Sequence, residues 1–235
     1  MGMALNVNIL LEGSYFYYEK GTNYSQENFK LIQLADKQSY QVLSEVLSRI
    51  ETGEFLKITI LYEMNAQFLP LHVRIEKSIG NNYAVENFKC DHHAGQLHYT
   101  FQNSTSQQEF YRPISSRHYL AAPSFATSCL FTLSKKFDAN GRTPVVMLSS
   151  ANDWSYQGPP NEKIVYAEWK IKDMDDYKVN DSDLSASHLM VYQNDSTNAD
   201  IEQPVSFFVS KHFGIPYQMT HGDREIRIQN LKKNF

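Results

Sequence analysis

Apolar and polar residues alternate through most of this chain with a period of two, the signature of strands that bury one face. The pattern is clearest where Leu56, Ile58, Ile60 and Tyr62 alternate with Lys57, Thr59 and Leu61. After Pro70, the residues Leu71, Val73 and Ile75 alternate with His72, Arg74 and Glu76. Gly80-Asn81-Asn82 then turns the chain into Tyr83 to Cys90, and Ala94-Gly95 turns it into Leu97, Tyr99 and Phe101. Successive antiparallel strands follow. Upstream, Asn6 to Leu11 and Tyr15 to Tyr18 flank a turn or bulge at Gly13, and Asn28 to Leu34 continues in the same style. The segment Ser39 to Glu51 is ambiguous, since Val42, Leu43, Val46, Leu47 and Ile50 also fit a helical face. Its β-branched and aromatic residues, and the strands around it, assign it to strand.

Between two long tracts of alternation lies Arg117 to Leu133, apolar and rich in small residues. Ala121, Ala122, Ala126, Thr127 and Ser128 let neighbouring backbone approach, while Leu120, Phe125, Leu130 and Phe131 offer core surface. It reads as a buried crossing on which the two tracts are organised. On that reading Ala122→Leu overpacks the interior. Beyond it, Asn140-Gly141 precedes a strand over 143–149, and Asn152 to Pro160 is a loop whose Trp154 and Tyr156 suggest the rim of a cleft. Lys163 to Ile171 is a strand with apolar residues on both faces. The acidic run Lys172 to Ser187 is expected to be a surface excursion, and the remaining strands form a terminal meander. The spacing predicts about a dozen strands in one all-β, mainly antiparallel domain over residues 1–235. A single strongly curved sheet with little helix, a spiral β-roll or open barrel, is the expected architecture.

Composition narrows the function. A net charge of -4 and the lack of any basic run argue against nucleic acid as a partner. No apolar run is long enough for a transmembrane helix, and the start Met1-Gly2-Met3-Ala4 lacks the features of a signal peptide, so a cytoplasmic location is expected. Cys90 and Cys129 are too few for a disulfide framework. The sequence lacks Gly-x-Ser-x-Gly, His-Glu-x-x-His, the phosphate-binding loop and the dinucleotide fingerprint, so no catalytic residue, metal or cofactor is assigned.

The densest group of possible ligands is Cys90-Asp91-His92-His93 with His98, but adjacent histidines on extended chain point to opposite faces, and a solvated turn before Gly95 explains them as well. Arg117 and His118 could fix the polar head of an amphipathic ligand, or simply pair with a strand-end carboxylate. Trp154, Tyr156, Tyr166 and Trp169 could line a cavity or pack a core. Asp173 to Asp183 lacks the spacing of a calcium loop.

Many alternating strands, a crossing centred on Ala122-Pro123-Ser124-Phe125, and a late Gly214-Ile215-Pro216-Tyr217 before a short strand resemble the glycolipid-binding type of spiral β-roll protein and the wider group of open-barrel lipoprotein carriers. The resemblance is one of layout over about two thirds of the chain. It implies a curved sheet enclosing an apolar cavity for a lipid-like molecule. The expectation is therefore a non-enzymatic binding protein for a small lipophilic or amphipathic ligand, with His98, Arg117, His118, Phe125, Trp154, Tyr166 and Trp169 as ligand-binding residues. The alternatives are a β-barrel enzyme using His98, Arg117 or His118, and an interaction module that recruits a partner strand at a sheet edge.

Overall fold

A computed structural model describes residues 7–34, 39–114, 118–179, 182–193 and 203–234. The first tract runs through β1 (Val7–Glu19), β2 (Thr22–Leu34), β3 (Ser39–Arg49), β4 (Phe55–Met64) and β5 (Pro70–Ile79). It continues through β6 (Asn82–Asp91), β7 (Gln96–Asn103) and β8 (Gln107–Pro113). After β9 (His118–Leu120) the chain makes two short 3-10 turns, Phe125–Thr127 and Leu130–Leu133. The second tract comprises β10 (Arg142–Ser149), β11 (Asn161–Val179), β12 (Ser182–Tyr192), β13 (Val205–Ser210), β14 (Pro216–His221) and β15 (Arg224–Lys233).

All fifteen strands belong to one sheet, in the order β8-β7-β6-β5-β4-β3-β2-β1-β15-β14-β13-β12-β11-β10-β9. Every pairing is antiparallel except β9 with β10. The two tracts join where β1 pairs with β15, so the edges of the sheet, β8 and β9, are consecutive along the chain. The sheet is curved and unclosed. Side chains rather than a ladder bridge the seam: Arg112 on β8 donates to the Pro160 carbonyl at 3.2 Å and pairs with Glu162 on β11 at 3.1 Å. Asn103 donates to the Trp154 carbonyl at 2.8 Å nearby. The two edges differ: β9 is three residues long and buried, whereas β8 is seven residues long, largely exposed and ends at Pro113.

From the seam the chain turns inward, as the small-residue segment led us to expect. β9 lies against β5, and the first 3-10 turn lies against β3. Ser124 to Thr127, Cys129, Leu130 and Phe131 are buried. One buried carboxylate holds this crossing. Glu27, on the inward face of β2 and 0% exposed, accepts from the Ser44 hydroxyl at 2.6 Å, the Ser124 hydroxyl at 2.5 Å, and the backbone N–H groups of Phe125 and Ala126 at 2.8 and 3.2 Å. The Tyr17 hydroxyl donates to it as well. Apolar contacts complete the packing, with Phe125 edge-on to Tyr15 and stacked near Phe207 of the second tract. The Leu120 N–H donates to the Tyr62 hydroxyl at 3.3 Å. Gly214, at φ +60, backs onto the crossing so closely that a Cβ there would meet Leu133, the Cys129 carbonyl and Thr132 at 3.0–3.1 Å.

The described residues form fifteen strands, in keeping with the single strongly curved, mainly antiparallel sheet expected. Three expectations change. Glu12-Gly13-Ser14 lies within a single strand, β1, whose register against β15 shifts between Ser14 and Tyr15. The acidic run is not a surface excursion but the far end of the β11–β12 hairpin, with three register shifts. Tyr177 anchors it, stacking on Phe208 and Tyr217 and donating to Gln218 at 2.9 Å, while Leu184 and Ala186 face the core. Finally, Ala122 is only half-buried and Ala121 is exposed, whereas Ala126 is wholly enclosed.

Ala126→Leu should therefore destabilise the protein by about 1 to 3 kcal/mol through overpacking. Ala121→Leu should stay within about 0.5 kcal/mol of the parent. Equilibrium urea denaturation of the two variants checks both, and equal midpoints would show that the crossing is not enclosed.

Candidate ligand groove

The strand alternation that buries one face sends a second set of side chains outward, and the register of the sheet aligns these in rows across many strands. One row runs Lys232, Glu12, Lys30, Leu43, Leu61, Arg74, Asn87, Thr100 and Glu109, from β15 through β1 to β8. Beside it runs Asn28, Glu45, Thr59 and Glu76. On its other side stand Glu63, His72, Lys89, His98 and Tyr111. Two leucines thus sit amid charged neighbours, and Leu43 is 39% exposed.

Between the first two rows the outer face is hollowed into a groove of about 400 Å³ over β2 to β5. Leu43 and Leu61 form its floor, and Lys30, Glu45, Arg74 and Glu76 stand at its rim. The rim charges are mostly paired: Lys57 lies 2.6 Å from Glu45 and Arg74 lies 2.5 Å from Glu76. Arg74 also borders a second basin of about 250 Å³, lined by His72, Asn87, Lys89, His98 and Thr100. At the other end, Lys30 and Asn28 are shared with a shallow hollow that includes Glu12, Ser14, Asn230 and Lys232.

The expected site residues fall in several places. His98 does line the outer basin, stacked on Tyr111 at 4.4 Å with its Nε2 2.6 Å from Glu109. Hydrogen bonds from Tyr111 and His98 hold the Glu109 carboxyl below its usual range. His118 is in the interior, its ring stacked at 5.5 Å on His92 and its Nε2 3.4 Å from the Cys90 sulfur. His98 and His118 therefore occupy opposite faces of the sheet and share no pocket. Arg117 lies outside the described residues. Phe125 is packed in the crossing. Trp154 is exposed on the seam loop, Tyr166 lies under the Arg142 guanidinium at 5.1 Å, and Trp169 packs on Phe137 at 5.1 Å. Tyr156 packs near Phe101. Among the described residues no group of three His, Cys, Asp or Glu side chains is placed to hold a metal ion.

Leu43, Leu61, Arg74 and Lys89 were missed by sequence reasoning. The signals for them were Leu61, an apolar residue in the outward series Lys57, Thr59, Leu61, and Leu43, on the second apolar face that made Ser39 to Glu51 ambiguous. The pairing that sets Leu61 beside Leu43 and Arg74 comes only with the register.

A second polar cluster closes the seam end. The Glu86 carboxylate on β6 accepts from Tyr99 at 2.7 Å and lies 3.6 Å from Lys77. Tyr99 in turn accepts from Asn152 at 2.7 Å, while Lys77 donates to the Asn152 carbonyl at 2.8 Å and pairs with Asp153 at 2.9 Å. Burial, with the Glu86 charge adding, raises the Tyr99 phenol above its ordinary pKa. These groups are fully engaged in fixing the loop.

Solved structures share this architecture. A β-barrel-like protein of the domain of unknown function DUF1849 from Brucella abortus superposes with a TM-score of 0.59 at 9% identity, covering 97% of this chain and 98% of that one. The fold is β-barrel-like. A DUF1089 family protein from Pseudomonas aeruginosa gives a TM-score of 0.53 at 12% identity, covering 83% of this chain and 89% of that one. At such identities the likeness concerns fold alone, and the expected kinship with lipoprotein carriers finds no counterpart in these two structures. No protein-family model matches the chain, and no curated protein matches its sequence. Among the described residues no helix is long and apolar enough to cross a membrane.

The two cysteines are buried, and burial pushes each thiol up to about 12. A thiol needs its thiolate form to act as a nucleophile, so Cys90 is not activated by the neighbouring His118. Both should resist an aromatic disulfide reagent at pH 8 in the native protein and titrate fully in denaturant. Rapid release of one equivalent from native protein would contradict this placement.

Proposed function

We propose that the protein is a non-enzymatic binder of a small lipophilic or amphipathic molecule, and that the ligand lies in the outer groove over β2 to β5 rather than inside the sheet. The observation that carries the reading is the pair Leu43 and Leu61, an apolar floor on the solvent side of the sheet with charged side chains around it. A hollow of about 400 Å³ is within the roughly 300–1,000 Å³ typical of small-molecule sites. The interior is a poor receptacle, because the crossing, Phe125, Tyr15 and Phe29 are packed there. Binding rather than catalysis is favoured because the groove brings an apolar floor together with paired charges, and His98 and His118 stand apart.

The protein purified from its own host should carry a small molecule in native mass spectrometry, and the emptied protein should bind a fluorescent fatty-acid analogue saturably. Leu43→Asp should weaken that binding by about tenfold or more, since a carboxylate on the floor must be desolvated by the chain. Saturable binding untouched by Leu43→Asp would remove the groove, and no saturable binding would remove the proposal.

A further inference from the structure

The basin that adjoins the groove presents hydrogen-bond donors. Arg74 commits Nε to Glu76 at 2.5 Å and reaches the Asn87 side-chain oxygen with Nη1 at 3.4 Å, leaving Nη2 without a partner among the described residues. The Asn87 amide donates to the Thr100 hydroxyl oxygen at 3.3 Å, so the Thr100 O–H is free to donate outward. Lys89, directly opposite both His72 and His98 in the sheet, has no ion-pair partner among the described residues. The nearby carboxylates are engaged or set aside: Glu76 with Arg74, Glu109 with His98 and Tyr111, and Asp91 with the backbone N–H groups of His93 and Ala94. Glu63 lies beyond His72 on β4.

Two adjoining hollows with different chemistry thus meet at Arg74. One strand spacing, about 4.8 Å, separates the Leu61 floor from Arg74, and another separates Arg74 from the strand that carries Lys89. We infer that the groove takes a single-chain amphiphile with an anionic head, its chain over Leu43 and Leu61 and its head held by Arg74, Lys89 and the Thr100 hydroxyl. This inference rests on the groove reading above and adds the charge of the ligand. A cation paired bidentately or through several donors suits a carboxylate or phosphate head, and a neutral head would leave Lys89 and the free guanidinium nitrogen without gain.

Three probes separate the possibilities: dodecyl phosphate, dodecanol and inorganic phosphate, each titrated below micelle-forming concentrations by isothermal calorimetry. Dodecyl phosphate should bind the parent protein at least about tenfold more tightly than dodecanol, a difference of about 1.4 kcal/mol. Lys89→Glu, on an exposed side chain, should abolish that preference while leaving dodecanol affinity and the thermal midpoint unchanged. Leu43→Asp should weaken both chain-bearing probes. If dodecanol binds in a Leu43-dependent way but dodecyl phosphate is not preferred, or keeps its preference in Lys89→Glu, the anionic head is overturned while the groove stands. Inorganic phosphate binding as tightly as dodecyl phosphate would show a bare anion site and overturn the amphiphile. If neither chain-bearing probe binds the parent, the groove reading falls together with this one.

Discussion

A carboxylate with no exposure to water has to be satisfied by the protein, and Glu27 is satisfied almost entirely by the crossing and by its neighbours on the sheet. Leaving such a group without partners costs several kcal/mol, more than a typical apolar contact contributes. The position of the crossing is therefore set by directional bonds, two of them to consecutive backbone N–H groups at the start of the Phe125–Thr127 turn. Burial, reinforced by the nearby Glu27 charge, raises the phenols of Tyr15 and Tyr17 well above their ordinary pKa.

Much of the functional reading follows from that constraint. A curved β-sheet of this size could enclose a ligand, as larger barrels do. Here the crossing enters at the seam, passes Tyr62 and Ser44, and ends against the Gly214 turn, so that space is occupied by the chain itself. The sheet remains unclosed: its two edges, β8 and β9, are not paired with each other, and after β9 the chain turns inward into the crossing. Polar side chains then cover the gap: Arg112 with Glu162 on one part of the seam, and the Glu86, Tyr99, Asn152 and Lys77 cluster on another. What is left for a ligand is the outer face, where the register collects Leu43, Leu61 and Arg74.

The alternation in β4 to β7 was plain in the sequence because each of those strands buries one face and exposes the other. β3 was ambiguous for the reason given by its own residues: Val42 and Val46 face inward, while Leu43 and Leu47 lie on the outer side, so two apolar faces imitate a helical stripe. That same Leu43 is the floor of the groove, and the ambiguity was a trace of the candidate site. The acidic end of the β11–β12 hairpin misled because bulges break its period, leaving Tyr177 and Leu184 to mark the buried side. Glu27 stands in the inward series Ser25, Glu27, Phe29, Leu31, where a carboxylate is out of place without a partner, but its partners in the crossing, Ser124, Phe125 and Ala126, are nearly a hundred residues away. The basin formed by His72, Lys89 and His98 is likewise invisible until three strands are paired.

Glu27→Leu tests the central claim most directly, because it keeps much of the side-chain volume while leaving the Ala126 N–H and the Tyr17, Ser44 and Ser124 hydroxyls without their acceptor, and the Phe125 N–H with the Tyr17 hydroxyl at 3.3 Å alone. Guanidinium denaturation of this variant should show a loss of at least about 3 kcal/mol, each abandoned buried donor costing about 1–3 kcal/mol. A change within about 0.5 kcal/mol, the range of an ordinary surface substitution, would contradict the account and show that apolar packing alone holds the crossing in the sheet.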